Sequence, residues 1–254
     1  MSLPIVFLHG FLGGRESFAE VKAHLPGPYP TLSPLLFGHR GRPEVSRAHD
    51  FDAETTRLLA VIRAEFQREP VHLVGYSLGG RLALALLVEA PERFASVTLI
   101  STRRGLDDPA LRAERLEQDR AWAAKLERGP LSRFLDEWEQ NPLFASQQQL
   151  SPLILEHLRK QRLEHDPSAL AQAMTALSLG RMPSFANELP SIGCPVVLMV
   201  GEHDTKFRSL AADLGRRIPK AGTIVVSGAG HNLPLERPAA VAAAISEGID
   251  NAEH

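Results

Sequence analysis

The stretch that decides the fold runs from Val71 to Ala90 and reads VHLVGYSLGGRLALALLVEA. Its first part, with Val71, Leu73 and Val74 following Pro70, is a compact strand. Its last part, 81–90, is a strongly apolar helix that Pro91 ends. Between them lies Gly75-Tyr76-Ser77-Leu78-Gly79, a G-x-S-x-G pattern extended by Gly80. Such a turn is tight, so small residues must flank the serine, and the serine projects into whatever cleft lies above the strand. The pattern alone would fit an ordinary turn. Its setting between a strand and a helix makes Ser77 a candidate nucleophile or base.

The same rhythm extends outward in both directions. Upstream, PIVFL at 4–8 is a strand feeding the loop His9, Gly10, Phe11, Leu12, Gly13, Gly14, and TLSPLLF at 31–37 is an apolar run that meets the turn-rich GHRGRP. Residues 51–67 form a helix, with Phe51, Thr55, Leu58, Leu59, Ile62 and Phe66 recurring at three- and four-residue steps. Downstream come strands at 97–100, 195–201 and 223–228, a helix near 207–217 and an alanine-rich helix near 238–249. Short apolar strands alternating with amphipathic helices predict an α/β fold with a mostly parallel sheet covered on both faces. Between about 105 and 185 the rhythm breaks. That stretch sets Leu111, Leu116, Trp122, Leu126, Leu131, Phe134, Leu135 and Trp138 among charges, and Pro130, Pro142, Pro152 and Pro167 divide it into several helices. The expected organisation is a core of 1–104 and 186–254 carrying a helical cap at 105–185, with the NAEH tail frayed.

Composition narrows the function. The chain has 254 residues, 44% of them hydrophobic, enough for a substantial core in one large domain. Lys and Arg total 28 against 30 Asp and Glu, a formal charge of −2, which argues against a nucleic-acid partner while allowing a local positive pocket. One cysteine excludes an intramolecular disulfide framework and a cysteine-rich zinc site. No signal peptide is evident, and no apolar run approaches the roughly 20 residues of a membrane span, so a cytoplasmic protein without membrane insertion is expected. Its oligomeric state is left open.

A serine hydroxyl needs a base to become reactive. Asp204 in GEHD follows the strand VVLMVG, and His231 in SGAGHN follows TIVVS. Each has an ordinary alternative, Asp204 as a helix cap and His231 as a turn residue. Together they give the chain order Ser77, Asp204, His231 of a catalytic triad at one edge of the sheet. His231 would take the serine proton, and Asp204 would fix the imidazole tautomer. Backbone N–H groups of Leu78 and Phe11 are the expected oxyanion donors, while His9 reads either as part of that loop or as a buried packing residue. Gly13-Gly14 lacks the remainder of any nucleotide-binding pattern. His39, His49-Asp50 and Glu202-His203 lack metal-ligand spacing, so no metal or cofactor is expected. Arg81 is a charge on an otherwise apolar helix, one turn after Ser77, and suits an anionic ligand better than simple packing.

On these motifs the chain resembles the α/β-hydrolase superfamily over nearly its whole length. GYSLGGR, the cap segments RAERLEQDRAW (112–122) and PLSRFLDEWEQNPLFAS (130–146), GEHDTKFRSLA and GAGHN further resemble one family within it, the 2-succinyl-6-hydroxy-2,4-cyclohexadiene-1-carboxylate synthases of menaquinone biosynthesis. The resemblance implies a lyase in which the triad serine acts as a base and pyruvate leaves a small polycarboxylate. It implies that Arg81, Arg115 and Arg159 hold carboxylates and that Tyr76 and Trp138 line the pocket. By their own surroundings, Arg115 and Arg159 equally suit surface salt bridges, and Trp138 and Trp122 suit cap packing. Three departures stand out: the chain starts at the strand before His9-Gly10, where relatives commonly carry one or two further strands; LLFGHRGRP lacks an acidic residue; and Arg103 and Arg104 in STRRGL match only loosely and are able to alter the pocket. The competing expectations are a serine carboxylesterase or carbon–carbon bond hydrolase with a covalent serine, and a noncatalytic binding protein on the same scaffold.

Overall fold

The structure is a computed structural model that describes residues 2–40 and 49–253; the 41–43 end of the LLFGHRGRP segment lies outside the described residues. Among the described residues, six strands form one sheet: β1 (Ile5–Leu8), β2 (Thr31–Leu32), β3 (Val71–Tyr76), β4 (Phe94–Ile100), β5 (Val196–Gly201) and β6 (Ala221–Val226). Their order is β2-β1-β3-β4-β5-β6, and every pairing is parallel. The apolar run at 31–37 contributes only two residues to the sheet, so β2 is a short edge, and β6, with Val225 exposed, is the other.

Alternation along each strand divides the core. Val6, Leu8, Leu73, Val97 and Leu198 face one side, packed under α2 (Phe51–Phe66), α3 (Leu78–Glu89) and α8 (Thr205–Arg217). Ile5, Phe7, Val74, Ile100 and Met199 face the other, under α1 (Ala19–Ala23), α9 (Leu233–Glu236) and α10 (Pro238–Glu253). Burial on both faces is what lets these strands be apolar throughout. The α10 helix runs to Glu253, so Asn251 and Ala252 of the tail expected to fray are helical.

Between β4 and β5 stand α4 (Pro109–Arg128), α5 (Leu131–Trp138), a 3-10 segment (Pro142–Gln149), α6 (Pro152–Leu163) and α7 (Pro167–Ala176). Asp108, Ser151 and Asp166 cap α4, α6 and α7 through their side chains, each followed by proline at the first helical position, where its missing N–H costs nothing. These helices close on their own core of Leu126, Phe134, Leu135, Leu170 and Met174. Leu12, from the loop after β1, is part of that cluster, and Phe11 packs against it. The cap therefore rests directly on the sheet's carboxyl edge. Among the described residues, no helix is long and apolar enough to cross a membrane.

Candidate active site

The chain leaves β1 for β2 on one side, then crosses to β3 on the other, which opens a crevice between the ends of β1 and β3. Ser77 sits there with φ +51° and ψ −107°, in a region that L residues rarely occupy. Neighbouring strands hold it: its N–H donates to Ile100 O (2.9 Å) and its carbonyl accepts from Thr102 Oγ1 (3.0 Å). The glycines are required by contact. A Cβ at Gly79 would lie 2.1 Å from Leu8 O, and one at Gly75 2.5 Å from Gly79 O. The turn passes straight into helix, so α3 starts at Leu78, three residues before the expected boundary, and Arg81 N bonds back to Ser77 O.

His231 Nε2 is 3.1 Å from Ser77 Oγ, and its Nδ1 is 2.6 Å from Asp204 Oδ2. A carboxylate only accepts, so the imidazole donates from Nδ1 and presents Nε2 as acceptor to the serine hydroxyl. Asp204 occupies the N-cap position of α8 but makes no capping bond; its side chain is given to His231 instead. Glu236, which sequence reasoning missed, accepts from Gly230 N (2.7 Å) and Asn232 N (3.1 Å), gripping the histidine loop on both sides. Phe207, Tyr76 and Phe144 surround the ring at 4.6, 5.5 and 6.2 Å.

Opposite the triad, neither the Phe11 nor the Leu78 amide has a hydrogen-bond partner among the described residues. The Phe11 loop is set by histidines. His39 Nε2 accepts from Leu12 N (3.2 Å), with Leu12 at φ +62°, and His9 Nε2 accepts from Leu36 N (3.2 Å). His165, from the cap, accepts from Arg40 N (2.9 Å). Rings 9 and 39 lie 4.9 Å apart, and rings 39 and 165 lie 5.5 Å apart. Burial lowers His9 and His165 to about 4 and His39 well below its ordinary value, so all three stay neutral acceptors at neutral pH. Of the two readings of His9, packing and hydrogen bonding to the loop describe it.

The triad opens into a cavity of about 1160 Å³ lined by Phe11, Tyr76, Trp122, Trp138, Arg81 and Arg115, among others. Arg81 is half-buried, its guanidinium donating to Leu177 O (3.0 Å) with no carboxylate partner among the described residues. Burial first, then the like charge of Arg115, lowers it to about 9, which leaves it protonated at neutral pH. Arg115 donates from Nε to Asp119 (2.9 Å), which also accepts from Ser178 Oγ (2.7 Å). Arg159 stands apart from this lining: it donates to Glu139 (2.7 Å), Asp136 (2.6 Å) and Ser132 O (3.2 Å). The three arginines therefore do not converge, because two carboxylates of the cap claim the third. Arg162, one turn further on α6, does line the cavity, as do Arg103 and Lys206. Sequence reasoning missed Arg162 and Lys206, although Lys206 lies only two residues after Asp204.

The metal-capable groups have other partners. His49 meets Glu54 (2.9 Å), Asp50 caps α2, and Glu202 accepts from Gly228 N. Among the described residues, no group of three or more His, Cys, Asp or Glu is placed to hold a metal ion.

Comparison with known proteins adds four findings. Residues 5–244 match the family described as the alpha/beta hydrolase family. A 2-succinyl-6-hydroxy-2,4-cyclohexadiene-1-carboxylate synthase of Enterobacter sp. (strain 638) is 35% identical over 243 residues, covering 96% of this chain and 90% of that protein. Among solved structures, MenH from S. aureus superposes with a TM-score of 0.93 at 29% identity, over 99% of this chain and 95% of that one. A thermophilic esterase from Thermogutta terrifontis, solved with malate bound, superposes at 0.86 with 25% identity, over 100% and 92%.

Proposed function

Since the chain belongs to the alpha/beta hydrolase family and is closely related to its 2-succinyl-6-hydroxy-2,4-cyclohexadiene-1-carboxylate synthases, we propose that it eliminates pyruvate from 2-succinyl-5-enolpyruvyl-6-hydroxy-3-cyclohexene-1-carboxylate. The observation that carries this is the juxtaposition of an assembled Ser77–His231–Asp204 relay with the uncompensated charge of Arg81 in one cavity. A hydrolase of neutral esters has no use for a half-buried arginine beside its serine, whereas a substrate with several carboxylates needs one.

The ring carbon that bears the succinyl ketone carries the acidic proton. Ser77 Oγ passes its own proton to His231 and takes the carbon-bound one, with Asp204 stabilising the imidazolium. The released electron pair moves through the ring double bond and breaks the carbon–oxygen bond to the enolpyruvyl group. Enolpyruvate leaves, is protonated on carbon to pyruvate, and the ring becomes the 2,4-diene. Negative charge builds on the ketone oxygen during proton removal, and the Phe11 and Leu78 amides are its donors. Arg81 and Arg115 hold carboxylates, and Tyr76 and Trp138 shape the wall. Residues 105–185 act as the cap over this site. Arg159 joins only if the cap releases it from Asp136 and Glu139.

The test is turnover of the enolpyruvyl precursor by purified protein, following pyruvate by enzymatic reduction and the diene by absorbance. Wild-type protein yields one pyruvate per diene. Ser77→Ala lowers kcat by about 10²–10⁴-fold, the usual worth of a positioned base, while product affinity changes little. The second reading, a carboxylesterase with a covalent Ser77, draws on the same relay and on the likeness to the Thermogutta esterase. A kinetically competent Ser77 adduct in rapid-quench mass spectrometry, or consumption of simple esters but not of the precursor, moves the assignment there.

A further inference from the structure

Two successive arginines leave β4 and meet opposite fates. Arg104 is neutralised: it grips both oxygens of Asp107 (2.8 Å each), donates to Asp213 (3.1 Å) and reaches Ser184 (3.1 Å). Arg103 has no carboxylate partner among the described residues. It donates from Nη2 to Gly105 O (3.2 Å), and its Nε–H is buried without an acceptor while the side chain lines the catalytic cavity. Across the same cavity wall, Lys206 at the start of α8 is exposed, and it too lacks a carboxylate partner among the described residues. The local field is repulsive on balance: burial and then Arg115 and Arg104 lower Arg103 against the smaller pull of Asp107, and burial, Arg103 and Arg115 lower Lys206 against that of Asp204. Carboxylates able to quench this loop exist and are directed to Arg104 instead. A buried arginine N–H left open beside like charges is the pattern of a site completed by an anion.

We propose that Arg103, with Lys206 at the rim, forms an anionic subsite separate from Arg81 and Arg115 and receives the substrate's succinyl carboxylate. This rests on the polycarboxylate reading of the site and deepens it. The precursor carries three carboxylates, and Arg159, expected to take one, is held by Asp136 and Glu139. Proton removal by Ser77 fixes the ring beside the elbow, one helical turn from Arg81. Of the three groups, only the succinyl carboxylate sits on a flexible two-methylene arm long enough to follow the wall towards the exposed Lys206.

The chain's two tryptophans, Trp122 and Trp138, both line the cavity, so intrinsic fluorescence reads binding directly. Two probes separate the charges: 2-(3-carboxypropanoyl)benzoate keeps the ring and succinyl carboxylates, and 2-butanoylbenzoate lacks the second. Wild-type protein binds the first more tightly. Arg103→Gln weakens the first by about tenfold, the effect of losing one charge-assisted contact, and leaves the second within twofold. Arg103→Lys restores part of the difference. Equal weakening of both probes, or no effect on either, overturns the subsite. A raised KM for the enolpyruvyl precursor with both probes unchanged gives Arg103 to the departing carboxylate and overturns the assignment. Wild-type protein that discriminates the probes through Arg103 yet releases no pyruvate supports the subsite while overturning the lyase reading.

Discussion

Ser77 is held by its neighbours in a conformation its own backbone disfavours. A non-glycine residue at such a position costs about 1–3 kcal/mol and persists because the surroundings over-determine it; the Ile100 and Thr102 bonds do so. Glycine adopts the same φ without a Cβ penalty. Ser77→Gly is therefore expected to raise the thermal midpoint by an amount equivalent to about 1 kcal/mol while abolishing turnover. Calorimetry beside a pyruvate assay checks this, and a lowered midpoint would show that the elbow stores no strain. The elbow was legible in sequence because its residues are contiguous and sit between a strand and a helix, even though Gly79 answers to Leu8 on the neighbouring strand. Arg159 was not legible in the same way. Its environment depends on Asp136 and Glu139, twenty and more residues earlier, turning the same way from α5.

At the scale of elements, the cap matters through what it touches. Phe134 is 2% exposed, lies 5.5 Å from both Trp122 and Trp138, and stacks on the latter. Trp138 in turn lies 5.3 Å from Phe11, whose amide is an expected oxyanion donor. Phe134→Ala removes the ring that orients this wall and costs about 3–5 kcal/mol where the site cannot collapse. Its expected outcome is a blue- or red-shifted tryptophan emission, a raised KM and a lower midpoint. Unchanged emission and kinetics would mean that Trp138 is positioned from elsewhere. The prolines and capping residues made these helices readable one by one. How they pack on the β1 loop was not readable, because a helix with charges on most faces, such as α4, announces no preferred side.

The whole molecule gathers the carboxyl ends of its parallel strands at one edge, and nearly all of that was readable from short apolar runs punctuated by glycine and proline. What the runs concealed is a set of buried neutral histidines, three of which tie the two halves of the site together. His9, His39, His72 and His165 are each at most 5% exposed. Burial is the largest cause in every case and lowers 9, 72 and 165 to about 4, and 39 well below its usual value. In the unfolded chain these groups titrate near 6.5, so between about pH 6.5 and 4 the unfolded state binds more protons than the folded one. Stability is then fully present above about pH 6.5 and falls as pH drops through that window, by up to about 1.4 kcal/mol per pH unit for each histidine. The depressed carboxylates behave alike in a lower window. Burial opposes the charge on Glu54, but bonds from Arg57 and His49 prevail and lower it, so its contribution is lost only below the ordinary carboxylate range. Urea midpoints measured from about pH 8 to 4 should be flat above about 7 and steep between about 6.5 and 4.5. His72 bonds Ser96 Oγ (2.8 Å) beneath the sheet, away from the cavity, so His72→Gln isolates one group. That variant should keep its turnover and lose one histidine's share of the slope. A midpoint as steep as wild type would mean that His72 is already protonated in the folded chain, and burial would then not be what governs its charge.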